Sequence, residues 1–125
     1  MTISFTIPGA PRTKKNHGRR IKRGNMIYHV QSVAHEEWNA AMQLWLAKVR
    51  TGCPFGLPLG TPVHVSALFY RHANVGDLNG YQQALGDALE QGRIIANDKL
   101  IHSWDGTRLL KDAARPRIEV QITEL

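Results

Sequence analysis

Apolar residues change their spacing several times along the chain, and each change predicts an element. In ISFTI, residues 3–7, Ile3, Phe5 and Ile7 alternate with Ser4 and Thr6, the period of a strand with one buried face that ends at Pro8. From Ala34 the spacing lengthens: Ala34, Trp38, Ala41, Met42, Trp45, Leu46 and Val49 recur at helical intervals. This predicts an amphipathic helix with Ser32 as its N-cap, Glu36 and Glu37 complementing the dipole of its first turns, and an end near Thr51 and Gly52. Trp38 and Trp45 share the apolar stripe, which casts them as core anchors rather than base-stacking platforms.

The Pro/Gly segment CPFGLPLGTP connects this helix to VHVSALFYR, residues 63–71. There Val63, Val65, Ala67 and Phe69 share one face and His64, Ser66, Leu68 and Tyr70 the other, which suits an interior strand covered at least partly on both sides. Leu78, Tyr81, Leu85, Ala88 and Leu89 predict a second helix starting close to Asp77 and ending near Gln91 and Gly92. KLIHSWDGTRLL reads as a further strand, and RIEVQITEL as the last, with Ile118, Val120 and Ile122 on one face. MIYHV, residues 26–30, adds a short strand or ribbon. The order of elements predicts a single α/β (α+β) domain over residues 1–125, a small mixed sheet of about four strands with two main helices.

Length and composition agree with that expectation: 125 residues, 42% of them hydrophobic, suffice for one two-layer core. No apolar run is long enough for a membrane span, and MTISFTIPGAPRTKK lacks the layout of a secretory signal, so a cytoplasmic protein is expected. Cys53 is the sole cysteine, which excludes an internal disulfide and a multi-cysteine zinc site and leaves a half-buried loop thiol.

Charge changes the picture. Residues 1–35 hold Arg12, Lys14, Lys15, Arg19, Arg20, Lys22 and Arg23 and no acid; the remaining ninety carry nine Lys and Arg against ten Asp and Glu, a net −1. The positive excess therefore sits in one segment, PRTKKNHGRRIKRGN. Such a concentration is the footprint of a phosphate-backbone binder, because neutralising phosphates releases condensed counterions. A solvated arm is the plainer reading. Pro8, Gly9, Pro11 and Gly18 instead describe a stiff, turn-rich loop pinned to a strand, which favours nucleic acid.

The acids gather elsewhere. Asp77 lies at a strand-to-helix turn, Asp98 at the next turn into a strand, and Asp105 farther along that strand, so side chains from three elements are expected to converge at one end of the sheet. Two or three converging carboxylates suffice for Mg²⁺, which takes oxygen ligands and keeps several waters. A basic loop and an acidic pocket together describe a metal-dependent nuclease. Each acid also has a local explanation: Asp77 as an N-cap, Asp98 after Asn97 as a turn former, Asp105 before Gly106 as a D-G turn. Asp87 falls on the line Gly80, Gln83, Asp87, Gln91, which reads as a solvated polar face or as support for the site.

FTIPGAPRTKK, residues 5–15, followed by the spacing from Asp77 through Asp87-Ala88-Leu89 to Asp98 and Ile101, resembles the RusA family of Holliday junction resolvases. The resemblance spans most of the chain, with residues 32–51 adding little. It implies a phage or bacterial homodimeric endonuclease acting with Mg²⁺, or Mn²⁺ in its place, on branched DNA. It also implies that Asp77 and Asp98 hold the metal. The chain departs from the family motif at three positions: Asn79 stands for its second catalytic Asp, Gly80 for its Asn, and Gln83 for its Lys. An amide oxygen ligates Mg²⁺ without adding charge, so metal binding is expected to be weaker, with Asp105 as a compensating ligand and Lys99 or Lys111 replacing the missing Lys.

Two rival classes stand beside the nuclease. One is a DNA- or RNA-binding module in which the basic loop does all the work. The other, a histidine-metal nuclease using His64, His72 and His102, lacks any H-x-x-x-H helix spacing. P-loop and dinucleotide-binding motifs are absent, which argues against nucleotide-hydrolysing and NAD-dependent enzymes.

Overall fold

A computed structural model of the chain describes residues 1–13, 19–24, 26–30, 33–54 and 56–125. The predicted N-cap Ser32 and the basic residues Lys14 and Lys15 lie outside the described residues. The predicted first strand is β1 (Thr2–Pro8), and part of the basic loop is itself a strand, β2 (Arg19–Arg23), paired with β3 (Met26–Val30). Arg19 pairs with Val30 and Arg23 with Met26, giving an antiparallel two-stranded ribbon whose turn includes Gly24 at φ +61°. The basic segment is thus partly a hairpin rather than wholly a loop. Helix α1 (Val33–Gly52), β4 (Val63–Arg71) and α2 (Leu78–Gln91) follow within a residue or so of their predicted bounds.

The strand expected over Lys99–Leu110 is broken. A short 3-10 helix, Asp98–Leu100, leads into β5 (Ile101–Ser103), and a turn at Asp105-Gly106 separates it from β6 (Arg108–Lys111). Gly106 adopts φ +88°, a left-handed backbone that suits glycine, so the D-G turn prevails over the strand pattern. The chain closes with β7 (Arg117–Glu124).

The architecture is α+β: a five-stranded mixed sheet with the two helices, plus the separate ribbon. The sheet runs β1-β7-β4, antiparallel throughout, and β5 and β6 then pair in parallel with opposite ends of β4. Register places Ile3, Phe5 and Ile7 opposite Ile122, Val120 and Ile118, which in turn face Val65, Ala67 and Phe69. These residues share one face because strand side chains alternate. The helices cover that face: Leu85 and Leu89 of α2 and Leu46 of α1 are fully buried in the same cluster as Val63, Phe69 and Ile122. Asn39, Gln43 and Arg50 of α1 reach the C-terminal part of α2, with Gln43 Nε2 donating to the Ala88 carbonyl and Arg50 Nη1 to that of Gly92.

Two positions of the predicted α1 stripe are not in the core. Trp38 is buried, but Trp45 is 41% exposed, with Lys48 Nζ 4.6 Å from its ring centroid. Met42, Leu46 and Val49 centre the stripe of α1, and Trp45 lies at its rim, where the Lys48 ammonium rather than the sheet faces its ring. Ala41 is likewise exposed. Cys53 is half-buried, as expected of a loop thiol. Among the described residues no helix is long and apolar enough to cross a membrane.

Candidate functional site

The turn between β4 and α2 is fixed from several directions. Tyr81 Oη donates to the Val75 carbonyl at 2.6 Å, while Arg71 donates from Nη1 to the carbonyls of Val75 and Gly76 and from Nε to that of Leu110. Gly76 has φ +78°, and a Cβ there would lie 2.8 Å from Tyr81 Oη, so the close approach of the tyrosine requires glycine. Burial pushes the Tyr81 phenol above its ordinary range; the charges of Arg71 and Arg12 oppose this and that of Asp77 adds to it.

Asp77 is the N-cap of α2, its Oδ1 accepting from the Gly80 N–H at 2.8 Å. Gly80 is buried: a Cβ on it would meet Asp77 Oδ1 at 2.7 Å and Thr13 Cγ2 at 3.1 Å. It therefore does not belong to a solvated line with Gln83. Thr13, only 6% exposed, packs here and is the last described residue before the basic segment resumes in β2. Thr13, within the start of the basic segment, is thereby packed against the N-terminus of α2.

At its other end α2 stops at Gly92, and Arg93, at φ +59°, takes the left-handed position that often follows a helix. Ile94 and Ile95 are fully buried, and Leu59 bridges to them through its N–H to Ile94 and its carbonyl to Ala96. This anchor sets the position of Asn97 and Asp98. The Asn97 side chain accepts from the Lys99 N–H, and the Asp98 N–H donates to Glu90 Oε1 at 2.8 Å, which ties the short helix back to α2.

Between these segments lies a notch of about 240 Å³ lined by Asn79, Gln82, Gln83, Gly86, Asp98, Ile101 and Trp104. A Cβ on Gly86 would lie 3.6 Å from Ile101 Cδ1, 3.8 Å from Asp98 Cβ and 4.0 Å from Trp104 Cζ2, so this glycine is the floor on which the three meet. Asp98, Asn79 and Gln83 are exposed, Gln82 and Trp104 half-buried. Among the described residues, no hydrogen bond or ion pair engages the side chains of Asn79, Gln82, Gln83 or Asp98.

The structure thus brings Asn79, Gln83 and Asp98 together from two segments. It does not put Asp77, Asp105 or Lys99 on the same walls. Asp105 is exposed on the turn closed by the Thr107 N–H and the Trp104 carbonyl, where Gly106 lies against Ser66. Among the described residues no three His, Cys, Asp or Glu side chains group closely enough to hold a metal ion. His64 shares a 2.9 Å hydrogen bond with Ser103, while His72 and His102 are exposed.

A larger hollow of about 420 Å³ lies on the opposite sheet face, between Ser4, Thr6, Ser66, Leu68, Glu119 and Gln121. Its carboxylate, Glu119, is paired with Arg117, whereas that of the notch has no partner among the described residues. Chemistry therefore favours the smaller concavity. The oxygens of Asp98 and Asn79 suit a hard cation that retains most of its water, with one charge where a stronger site would have two.

Sequence reasoning did not single out Gln82, Gly86 or Trp104. The available signal was the line Asn79, Gln82, Gln83, Gly86, polar residues and a glycine on one side of a helix whose other side is the Leu85 stripe. Compared with models of known protein families and with curated proteins, the chain matches none.

Proposed function

We propose that the protein is a metal-dependent endodeoxyribonuclease of branched DNA, acting on four-way junctions in recombination and repair. The observation that carries this reading is the notch beside α2, with an unengaged carboxylate and amide oxygens, on the helix whose N-terminus Thr13 of the basic segment packs against. The motif likeness to RusA resolvases supplies the substrate class. Asp98 and Asn79 would hold Mg²⁺, with Mn²⁺ as a substitute, and the second oxygen of Asp77 carries no hydrogen bond among the described residues that would prevent it from contributing. When bound, the ion activates a water and stabilises the charge that develops on the phosphate.

The chain's own groups bind and orient. Arg12, Lys14, Lys15 and the β2 residues Arg19, Arg20, Lys22 and Arg23 grip the phosphate backbone, contributing affinity and salt dependence rather than sequence choice. Arg71 and Tyr81 hold the β4–α2 turn and so fix Asp77. A symmetric dimer in the bacterial or phage-infected cytoplasm would offer two notches to opposing strands.

A binding protein without chemistry is the second reading, supported by Asn79 and Gln83 standing where the RusA motif carries an Asp and a Lys. Asp98→Asn separates the two. The nuclease reading expects cleavage to be lost while junction binding at low salt is kept; equal cleavage by mutant and parent would remove Asp98 from the metal.

A further inference from the structure

The notch is built for more than an ion. Three of its residues, Asn79, Gln82 and Gln83, end in carboxamides that engage no partner among the described residues, and each presents an adjacent donor and acceptor. Across from them stands Trp104, half-buried, with Ile101 and the bare backbone of Gly86 forming an apolar floor. Among the described residues the sole charge on these walls is the negative one of Asp98, which repels a phosphate placed there without a cation.

A flat, neutral ring with hydrogen-bonding edges matches all of this. Carboxamides pair with base edges through two points, and an aromatic side chain accepts any base on its face. We propose that the notch takes one unstacked nucleobase of a bound DNA strand, with Trp104 as its aromatic wall and Gln82 and Gln83 at its edge. The inference rests on the DNA-processing reading and deepens it: the base would be the neighbour of the phosphate held at Asp98 and Asn79. Branch points supply such bases readily, because unpaired or weakly stacked nucleotides leave the helix at least cost.

Gly86→Ala is the sharpest probe. Its methyl would sit at ordinary van der Waals distance from Ile101, Asp98 and Trp104, so it fills the floor without forcing a clash, and alanine favours a helix over glycine. Binding is measured in EDTA with the full chain, on four-way junctions in which one nucleotide at a time near the branch is replaced by an abasic unit. For the parent, one position is expected to weaken binding by about tenfold when its base is missing. Gly86→Ala and Trp104→Leu are expected to bind the intact junction about tenfold more weakly than the parent and to show no further loss at that position.

An abasic penalty that persists in full in Gly86→Ala would overturn the base site. So would a parent that cuts junctions with Mg²⁺ yet binds every abasic junction as it binds the intact one, an outcome that leaves the nuclease reading standing. The reverse pattern, an abasic penalty removed by Gly86→Ala in a protein that makes no cut with Mg²⁺ or Mn²⁺, supports the base site and overturns the nuclease reading.

Discussion

The two sides of α2 put the same backbone to opposite uses. On one side Tyr81, Ala84, Leu85, Ala88 and Leu89 are buried against the sheet and α1. On the other, Asn79, Gln82 and Gln83 leave their polar groups without partners among the described residues, around a notch floored by glycine. The first side is saturated with contacts and the second is short of them. Unused hydrogen-bonding capacity beside an unpaired carboxylate is what a ligand site requires, whereas the packed side holds that site in place.

The largest test of this contrast is Leu85→Ala on the packed side. Leu85 is fully buried, so its truncation should lower stability by about 2–5 kcal/mol, read as a fall in the denaturation midpoint. At the helix start, Asp77→Ala removes the cap to Gly80 and should destabilise by about 1 kcal/mol. Tyr81→Phe loses the hydrogen bond to the Val75 carbonyl and should destabilise by about 1 kcal/mol at neutral pH. Its pH dependence is diagnostic as well. Because burial raises the Tyr81 phenol above 10.0, the contribution of the neutral hydroxyl is complete below pH 10 and is lost as pH climbs through the folded value; the Phe variant should lack that alkaline loss.

The notch side should respond differently. Gly86→Ala is expected to leave stability unchanged or raise it by up to about 1 kcal/mol while impairing DNA recognition. Asp98→Asn, at an exposed side chain without partners among the described residues, should alter stability by less than about 0.5 kcal/mol and yet abolish cleavage. A loss of 2 kcal/mol or more from Asp98→Asn, on the order of a buried-group effect, would erase the distinction between the two sides.

The packed side was legible in the sequence, and the notch only in part. Periodicity located β4 and α2 because Val63, Val65, Ala67 and Phe69, and Tyr81, Leu85 and Leu89, are all buried on single faces. MIYHV was legible as a strand or ribbon, but its partner β2 was missed because RRIKR has no apolar alternation; the pairing rests on backbone hydrogen bonds that any residue supplies. Trp45 was misplaced because the stripe of α1 is wider than the surface it packs on. Asp77 and Asp98 were legible as turn residues, but the approach of Trp104 to Gly86 joins positions eighteen residues apart through a turn that the strand pattern concealed.

The most direct test of the proposed activity is incubation of the protein with a labelled four-way junction, beside linear duplex of the same sequence, with Mg²⁺, with Mn²⁺ and with EDTA. The account predicts paired nicks on the junction when either metal is present and none in EDTA or on the duplex. Tight junction binding with no cut under any metal would contradict it, leaving a DNA-binding protein in which the single carboxylate of the notch does not support the chemistry.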